Sequence, residues 1–198
     1  MVTTLSILTV CSGNICRSPL AEGLLREGLR TIDGVEIASA GSIARDGDEV
    51  TPQILEIGND HGIDLSGHLA RYMIEPFVAE ADLLFAMSRS HRRSIVEMVP
   101  RKVASTFTLR EFARLAQQIP DEEVLAVASR ESSVRNRLRA AITLAASRRG
   151  QSDPPLHPDD DDIVDPYRRD DETYALSASQ LVPAVDAVAR YLTLASRS

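Results

Sequence analysis

Apolar positions along the first hundred residues switch repeatedly between a two-residue and a helical period. Leu5-Ser6-Ile7-Leu8-Thr9-Val10 is short, apolar and β-branched, which suits a strand buried on both faces. A polar loop follows. Pro19 then falls where a first helical turn tolerates proline, and Leu20, Leu24, Leu25 and Leu29 recur at helical spacing. Val35 to Ala40 predicts a second strand, and a helix runs from about 51 to 60 after a loop rich in Gly and Asp. A short helix near 74–79, a strand at 83–87, a helix at about 91–99 and a strand at 103–107 continue the alternation. Four strands alternating with helices predict an α/β fold with a parallel sheet. Ligands of such sheets bind beyond the carboxyl ends of the strands, and the loop after Val10 lies at one of those ends.

Residues 109–150 follow a different pattern. Val134, Leu138, Ala141, Ile142 and Ala145 form one helical stripe, and the arginines on the other faces read as a solvated surface ahead of a docking site for an acidic partner. Residues 151–158, rich in proline and polar side chains, predict a loop. The aspartate cluster 159–162 reads as solvated rather than as a cation site. A last helix spans about 172 to 194, with Pro183 as a candidate break. The expectation is a single domain over 1–198 with a helical insertion at about 110–158.

A hydrophobic content of 43% with 26% charged residues supports a folded core rather than disorder. The net charge of -7 argues against a dedicated nucleic-acid binder, which carries a basic face. Cys11 and Cys16 sit in one short segment, so they do not form the disulfide framework of a secreted protein. Met1 to Val10 lacks the basic start of a signal peptide, and no apolar run reaches the length that crosses a bilayer. The expected location is the cytoplasm, with no membrane partner.

The first loop, Cys11-Ser12-Gly13-Asn14-Ile15-Cys16-Arg17-Ser18-Pro19, carries the chemistry. A thiol and a guanidinium end a glycine-containing arc that runs into a helix. Successive N–H groups in such an arc, with the helix N-terminus, make an anion-binding nest. Arg17 adds a planar fork for two phosphate oxygens. Positive potential in the nest favours the ionised form of Cys11, a nucleophile that attacks phosphorus in line with the leaving oxygen. Cys-x5-Arg alone is a weak pattern, and Cys11 then reads equally as a small buried hydrophobe. The loop lacks the Gly-Lys-Ser/Thr of a nucleotide P-loop. Two cysteines without a partner pair also make a poor zinc site, so neither a metal nor a cofactor is expected.

The chain resembles the low-molecular-weight protein tyrosine phosphatases. The resemblance rests on Val10-Cys11-x-Gly13-Asn14-Ile15-Cys16-Arg17-Ser18-Pro19 with Ala21-Glu22, then Ser39-Ala40-Gly41 and His68-x-Ala70-Arg71. Leu84-x-Ala86-Met87 and Ile163-Val164-Asp165-Pro166-Tyr167 complete it, in the family's order. It implies a three-layer, Rossmann-like fold around a central four-stranded parallel sheet, and a substrate that is a phosphorylated protein or a small phosphomonoester. By the same resemblance Cys11 is the nucleophile, Arg17 the phosphate clamp and Asp165 the general acid, with Pro166 holding Asp165 in extended geometry. Ser12, Gly13, Asn14, Ile15, Cys16 and Ser18 bind phosphate, Ser18 also donating to the Cys11 sulfur, while Asn14, Ser39 and His68 support the loop. His61, His91 and His157 have no such support and are expected on the surface.

Three departures bear on the substrate. The loop after Ser-Ala-Gly has Arg45 near the place of the family's usual aromatic. Tyr167 is followed by Arg168 rather than a second aromatic, and Ser88 stands where an acid is usual. Arg45 and Tyr167 are the candidate rim. Ile15 accompanies phosphotyrosine activity in the family and threonine accompanies phosphoarginine activity, which places phosphoarginine second. Thiol-dependent arsenate reductases share the loop. Their intramolecular relay needs two further cysteines and none follows Cys16, which leaves only a version using an external thiol, in which Asp165 has little purpose. Cys16 reads equally as a packing residue and as a thiol that captures an oxidised Cys11.

Overall fold

The computed structural model describes residues 4–197; residues 1–3, where the stretch lacking a basic start begins, lie outside the described residues. Its centre is a four-stranded parallel sheet in the order β2-β1-β3-β4, built from β1 (Leu5–Cys11), β2 (Val35–Gly41), β3 (Leu83–Ala86) and β4 (Thr106–Thr108). Side chains alternate across it as a period of two requires. Leu5, Ile7, Leu83 and Phe85 face one core. Leu8, Val10, Leu84 and Ala86 face the other. The first core is covered by α1 (Arg17–Gly28), α5 (Leu109–Gln118), α7 (Val134–Ser147) and α8 (Asp171–Ser196). α3 (Glu75–Glu80) and α4 (Arg89–Met98) cover the second, which gives three layers. The remaining helices are α2 (Pro52–Asp60) and α6 (Asp121–Ala128).

The chain leaves β1 toward β2 on one side and later returns to β3 on the other. Strand order therefore reverses at β1, and a crevice opens beyond its carboxyl end, where residues 12–16 lie. The register pairs Cys11 with Gly41 and Val10 with both Ala40 and Ala86. Three segments thus end together around one loop.

Three expectations change. The strand predicted at 103–107 is Thr106–Thr108, because Pro100 opens a 3-10 turn through Ser105 and the Thr106 hydroxyl bonds the Lys102 carbonyl at 2.7 Å. Pro183 does not break α8. A mid-helix proline costs about 3 kcal/mol. Leu181, Val185, Val188 and Leu192 are buried around it, each contributing roughly 1.5–3 kcal/mol, and their sum exceeds that cost. The apolar stripe of α7 faces the core as expected, but several arginines on it and just past its end fold back onto acids. Arg135 and Arg139 reach Asp82 at 3.2 and 3.5 Å, Arg149 reaches Glu111 at 2.8 Å, and Arg148 pairs with Glu123.

Phe112 of α5 meets Phe85, Phe107 and Tyr191 edge to face, and the Tyr191 hydroxyl donates to the Ala141 carbonyl at 2.8 Å. Residues 109–147 and α8 therefore share the core of the sheet. Among the described residues no helix is long and apolar enough to cross a membrane.

Candidate active site

Cys11 ends β1 and Arg17 opens α1, so the strand and the helix fix the two ends of the loop. The surroundings then set its direction. The carbonyl of Cys11 accepts from the Ser42 amide at 2.9 Å, that of Ser12 from Ile43 at 3.0 Å and that of Ile15 from Thr51 at 3.1 Å. The Asn14 carbonyl accepts from His68 Nε2 at 2.9 Å. In a planar trans peptide the next N–H points opposite to the carbonyl. Tying these four carbonyls outward turns the amides of Ser12, Gly13, Ile15 and Cys16 toward the loop's hollow.

Asn14 is the hub of that arrangement. Its φ of 55° is left-handed, a conformation asparagine tolerates better than most residues. Its side-chain oxygen accepts from the Arg71 amide at 2.9 Å, and its Nδ2 donates to Ser39 Oγ at 2.8 Å and Ser18 Oγ at 3.0 Å. The Ser39 hydroxyl donates to Glu22 at 2.5 Å, which fixes Ser39 as an acceptor toward Asn14. Ser18, already accepting from Asn14, has one proton to give, and Cys11 Sγ at 3.0 Å is a nearer acceptor for it than the Ala40 carbonyl at 3.5 Å. The Asn14 amide adds a second donor to that sulfur at 3.3 Å. Every member of the chain Glu22–Ser39–Asn14–Ser18–Cys11 thus has a defined polarity. Gly41 permits the close approach: a Cβ there would sit 2.4 Å from the Ser12 carbonyl oxygen and 2.9 Å from the Asn14 nitrogen.

Arg17 is buried beside the loop. Its Nη1 donates to the Ile163 carbonyl at 3.0 Å and its Nη2 pairs with Asp165 Oδ2 at 2.7 Å, while its Nε is buried with no hydrogen-bond partner among the described residues. Asp165 arrives on a segment anchored through its backbone. The Ile163 amide donates to Met87, the Val164 amide to Gln180 Oε1 at 2.9 Å, and the Val164 carbonyl accepts from Ser177. The cavity so formed holds about 170 Å³, lined by Cys11, Ser12, Gly13, Ile15, Cys16 and Arg17 below and by Ile43, Arg45, Asp48, Asp165 and Tyr167 at the mouth.

The structure brings together Cys11, Ser12, Gly13, Ile15, Cys16, Arg17, Arg45, Asp165 and Tyr167 around one cavity, with Asn14, Ser18, Ser39 and His68 behind it. Arg45 is exposed and Tyr167 half-exposed, and Arg168, at φ 60°, lies over the Tyr167 ring with its guanidinium carbon 5.1 Å from the centroid. The Cys16 sulfur lies 3.7 Å from the Thr51 hydroxyl and 3.9 Å from that of Tyr174, and burial pushes its thiol up to about 11.

Two expectations are corrected. His91 is not on the surface. It is buried, its Nε2 is 2.8 Å from Ser12 Oγ and its Nδ1 is 2.7 Å from Ser88 Oγ. Burial first, and the Arg17 charge second, push it down to about 4, so it is neutral at pH 7 and offers one donor and one acceptor to the two hydroxyls. The signal lay in Ser88: with no acid there, its hydroxyl caps α4 and receives the imidazole. The aspartate cluster is not simply solvated either. Arg89 pairs with Asp159 and with Asp162 at 3.1 Å, and Arg114 pairs with Asp161 at 3.1 Å. Sequence reasoning also gave no role to Ile43 and Asp48 at the mouth or to Glu22 and Arg71 behind the loop. Ile43 was legible as an apolar residue stranded in a polar loop.

The model of the family described as low molecular weight phosphotyrosine protein phosphatase matches residues 6–126. The chain belongs to this family. A probable low molecular weight protein-tyrosine-phosphatase, EpsP of Ralstonia solanacearum, is 42% identical over 106 residues, 54% of this chain and 71% of that protein. A protein-arginine-phosphatase of Geobacillus stearothermophilus is 36% identical over 106 residues, covering 54% of this chain and 70% of that one. Among solved structures, the YwlE arginine phosphatase from G. stearothermophilus superposes with a TM-score of 0.67 at 26% identity, over 96% of this chain and 93% of that one. A low molecular weight protein tyrosine phosphatase from T. tengcongensis gives 0.64 at 27% identity, over 93% of this chain and 97% of that one. As a low molecular weight phosphatase this chain carries the thiol loop inside the matched residues, whereas Asp165 lies beyond them.

Proposed function

We propose that the protein hydrolyses phosphomonoesters, with phosphotyrosine on a protein as its substrate, through a cysteinyl-phosphate intermediate. The observation that carries this reading is the convergence of two donors on Cys11 Sγ inside a loop whose carbonyls are tied outward, facing Arg17 and Asp165. A dianionic phosphoryl group competes with Asp165 for the Arg17 fork, and the unpartnered Nε gains an oxygen to bond. Cys11 sulfur attacks phosphorus as the ester P–O bond breaks, and Asp165 gives its proton to the leaving oxygen. Water then attacks the same phosphorus, the S–P bond breaks, and the Asp165 carboxylate takes the water proton, releasing inorganic phosphate. The loop amides hold the equatorial oxygens through both steps. No metal or cofactor enters this sequence.

Ile15, Ile43 and Tyr167 supply apolar and aromatic surface at the wall and mouth, which favours an aryl ester. Phosphoarginine is the second reading, favoured by the relative of that activity. The test is hydrolysis of p-nitrophenyl phosphate by wild type, Cys11→Ser and Asp165→Asn, followed by a phosphotyrosine peptide, phosphoarginine and a sugar phosphate. Wild-type activity no greater than that of Cys11→Ser refutes the reading. A kcat/KM on phosphoarginine above that on the phosphotyrosine peptide reverses the substrate order.

A further inference from the structure

The segment that carries Asp165 has little structure of its own. Between α7 and α8 it contains one 3-10 turn, Pro158–Asp161, and two buried apolar anchors near the acid, Ile163 and Pro166. A loop of this kind stays in place only through non-local bonds. Met87, Gln180, Ser177 and Arg17 supply those at residues 163–165, and three guanidinium groups supply those just before them, all three from helices that begin just after sheet strands. Arg89, at the start of α4, is bonded to Asp162 through its backbone amide at 2.7 Å as well as its side chain. Arg110 and Arg114 stand one turn apart on α5. Arg110 Nη1 donates to the Asp162 carbonyl at 2.9 Å, and Arg114 Nη1 donates to the Asp153 carbonyl at 2.8 Å while its Nη2 holds Asp161. The Arg114–Asp161 pair is mostly withdrawn from water, with side chains 25% and 16% exposed, so it is screened less than an open surface pair.

These bonds end three residues before Asp165. The carboxylates 159, 161 and 162 are consumed by arginines, and Asp160 by the His157 amide at 2.8 Å, so the cluster is a latch and not a ligand site. We propose that Arg89, Arg110 and Arg114 are positioning residues that set the reach of Asp165 to the leaving oxygen. α5 then serves the reaction through the acid segment, without touching the substrate. The proposal rests on the phosphatase reading above. A sub-ångström to ångström misplacement of a proton donor is enough to lose much of its effect.

A poor leaving group needs the proton and a good one barely does, so leaving-group dependence separates a misplaced acid from a damaged fold. The experiment measures kcat/KM for phenyl phosphate and p-nitrophenyl phosphate in wild type, Arg89→Met, Arg114→Met and Asp165→Asn, and in Arg114→Met combined with Asp165→Asn. Methionine keeps the apolar stem and removes the fork. The expected result is a loss of about 10-fold on phenyl phosphate, part of the roughly 10²–10⁴ that general acid catalysis contributes, with about 2-fold or less on p-nitrophenyl phosphate. Inhibition by inorganic phosphate stays unchanged, and Arg114→Met adds nothing in the Asp165→Asn background. Raising sodium chloride, which screens the open Arg89 pairs first, lowers the phenyl to p-nitrophenyl ratio in wild type but not in Asp165→Asn, a readout that needs no arginine variant to fold. Equal losses on both esters, weaker phosphate inhibition, additivity with Asp165→Asn or a salt-independent ratio each overturn the latch. If wild type and Asp165→Asn differ on phenyl phosphate while the arginine variants match wild type, the latch fails and the phosphatase reading stands. If wild type hydrolyses neither ester, both fall.

Discussion

His91 makes a stability prediction with a definite sign. The unfolded chain takes up a proton on this side chain near the ordinary value of about 6.5, whereas in the fold burial and the Arg17 charge hold it down to about 4, with Asp165 and Asp162 pulling weakly the other way. Between those two values the unfolded state binds more protons, so stability is full above about pH 6.5 and falls as pH drops toward 4. Integrating the two titrations from pH 7 to pH 5 gives a loss of about 2 kcal/mol from this one residue. His91→Gln keeps a donor and an acceptor but cannot titrate. It should be less stable at pH 7, by about 1 kcal/mol per hydrogen bond disturbed. From pH 7 to 5, however, wild type should lose about 2 kcal/mol more than the variant does. Carboxylates that protonate near pH 5 are common to both proteins and cancel in the difference. Urea unfolding followed by far-UV circular dichroism at half-unit steps reads it, since the chain has no tryptophan. Parallel stability curves for the two proteins over that interval would refute the reasoning.

Gly41→Ala should cost roughly 1–3 kcal/mol, because the new methyl meets backbone at Ser12 and Asn14 and neither can yield without the loop. Phosphate affinity should fall with it, and Gly67→Ala, which meets nothing within 4 Å among the described residues, should move neither the melting temperature nor the affinity. Cys16 is held as a neutral thiol by burial, up to about 11, so its capture of a peroxide-oxidised Cys11 should be slow at pH 7. The rate of that cross-link, followed by mass spectrometry, should rise about 10-fold per pH unit up to pH 9, and a flat profile would show that thiolate supply does not limit it.

The two halves of the site were legible to very different degrees. The strand, the loop and the helix that follow Leu5 are consecutive, so their geometry is a local matter and the residue types announce it: a buried run, a glycine-containing arc, a proline in the first turn. Helix periodicity placed α7 and α8 for the same reason. Long-range pairing is what local reading lacks. The burial of His91 depends on two hydroxyls, one of them 79 positions away. A single histidine in a helix carries no mark of that. Three of the four aspartates at 159–162 look solvated in one dimension because their arginines stand 47 to 73 residues earlier. Pro183 misled through the opposite error, in which a local rule was overruled by apolar burial on both sides of it.

That difference in origin predicts a difference in tolerance. The thiol loop is one connected chain of hydrogen bonds with fixed polarity, from Glu22 through Ser39, Asn14 and Ser18 to the sulfur. Removing any member leaves a buried donor or acceptor unpaired and reverses or frees the hydroxyls beyond it, so substitutions there act on binding and on chemistry together. The acid segment is held by several parallel bonds from separate helices, each partly open to water. Losing one leaves the others, and the carboxyl group is displaced rather than lost. Sequence change therefore has a graded effect at Asp165, expressed through the leaving group, and a steep one at Cys11. In this fold the segment from 109 to 162 is the place where leaving-group preference can drift while the phosphate chemistry is kept.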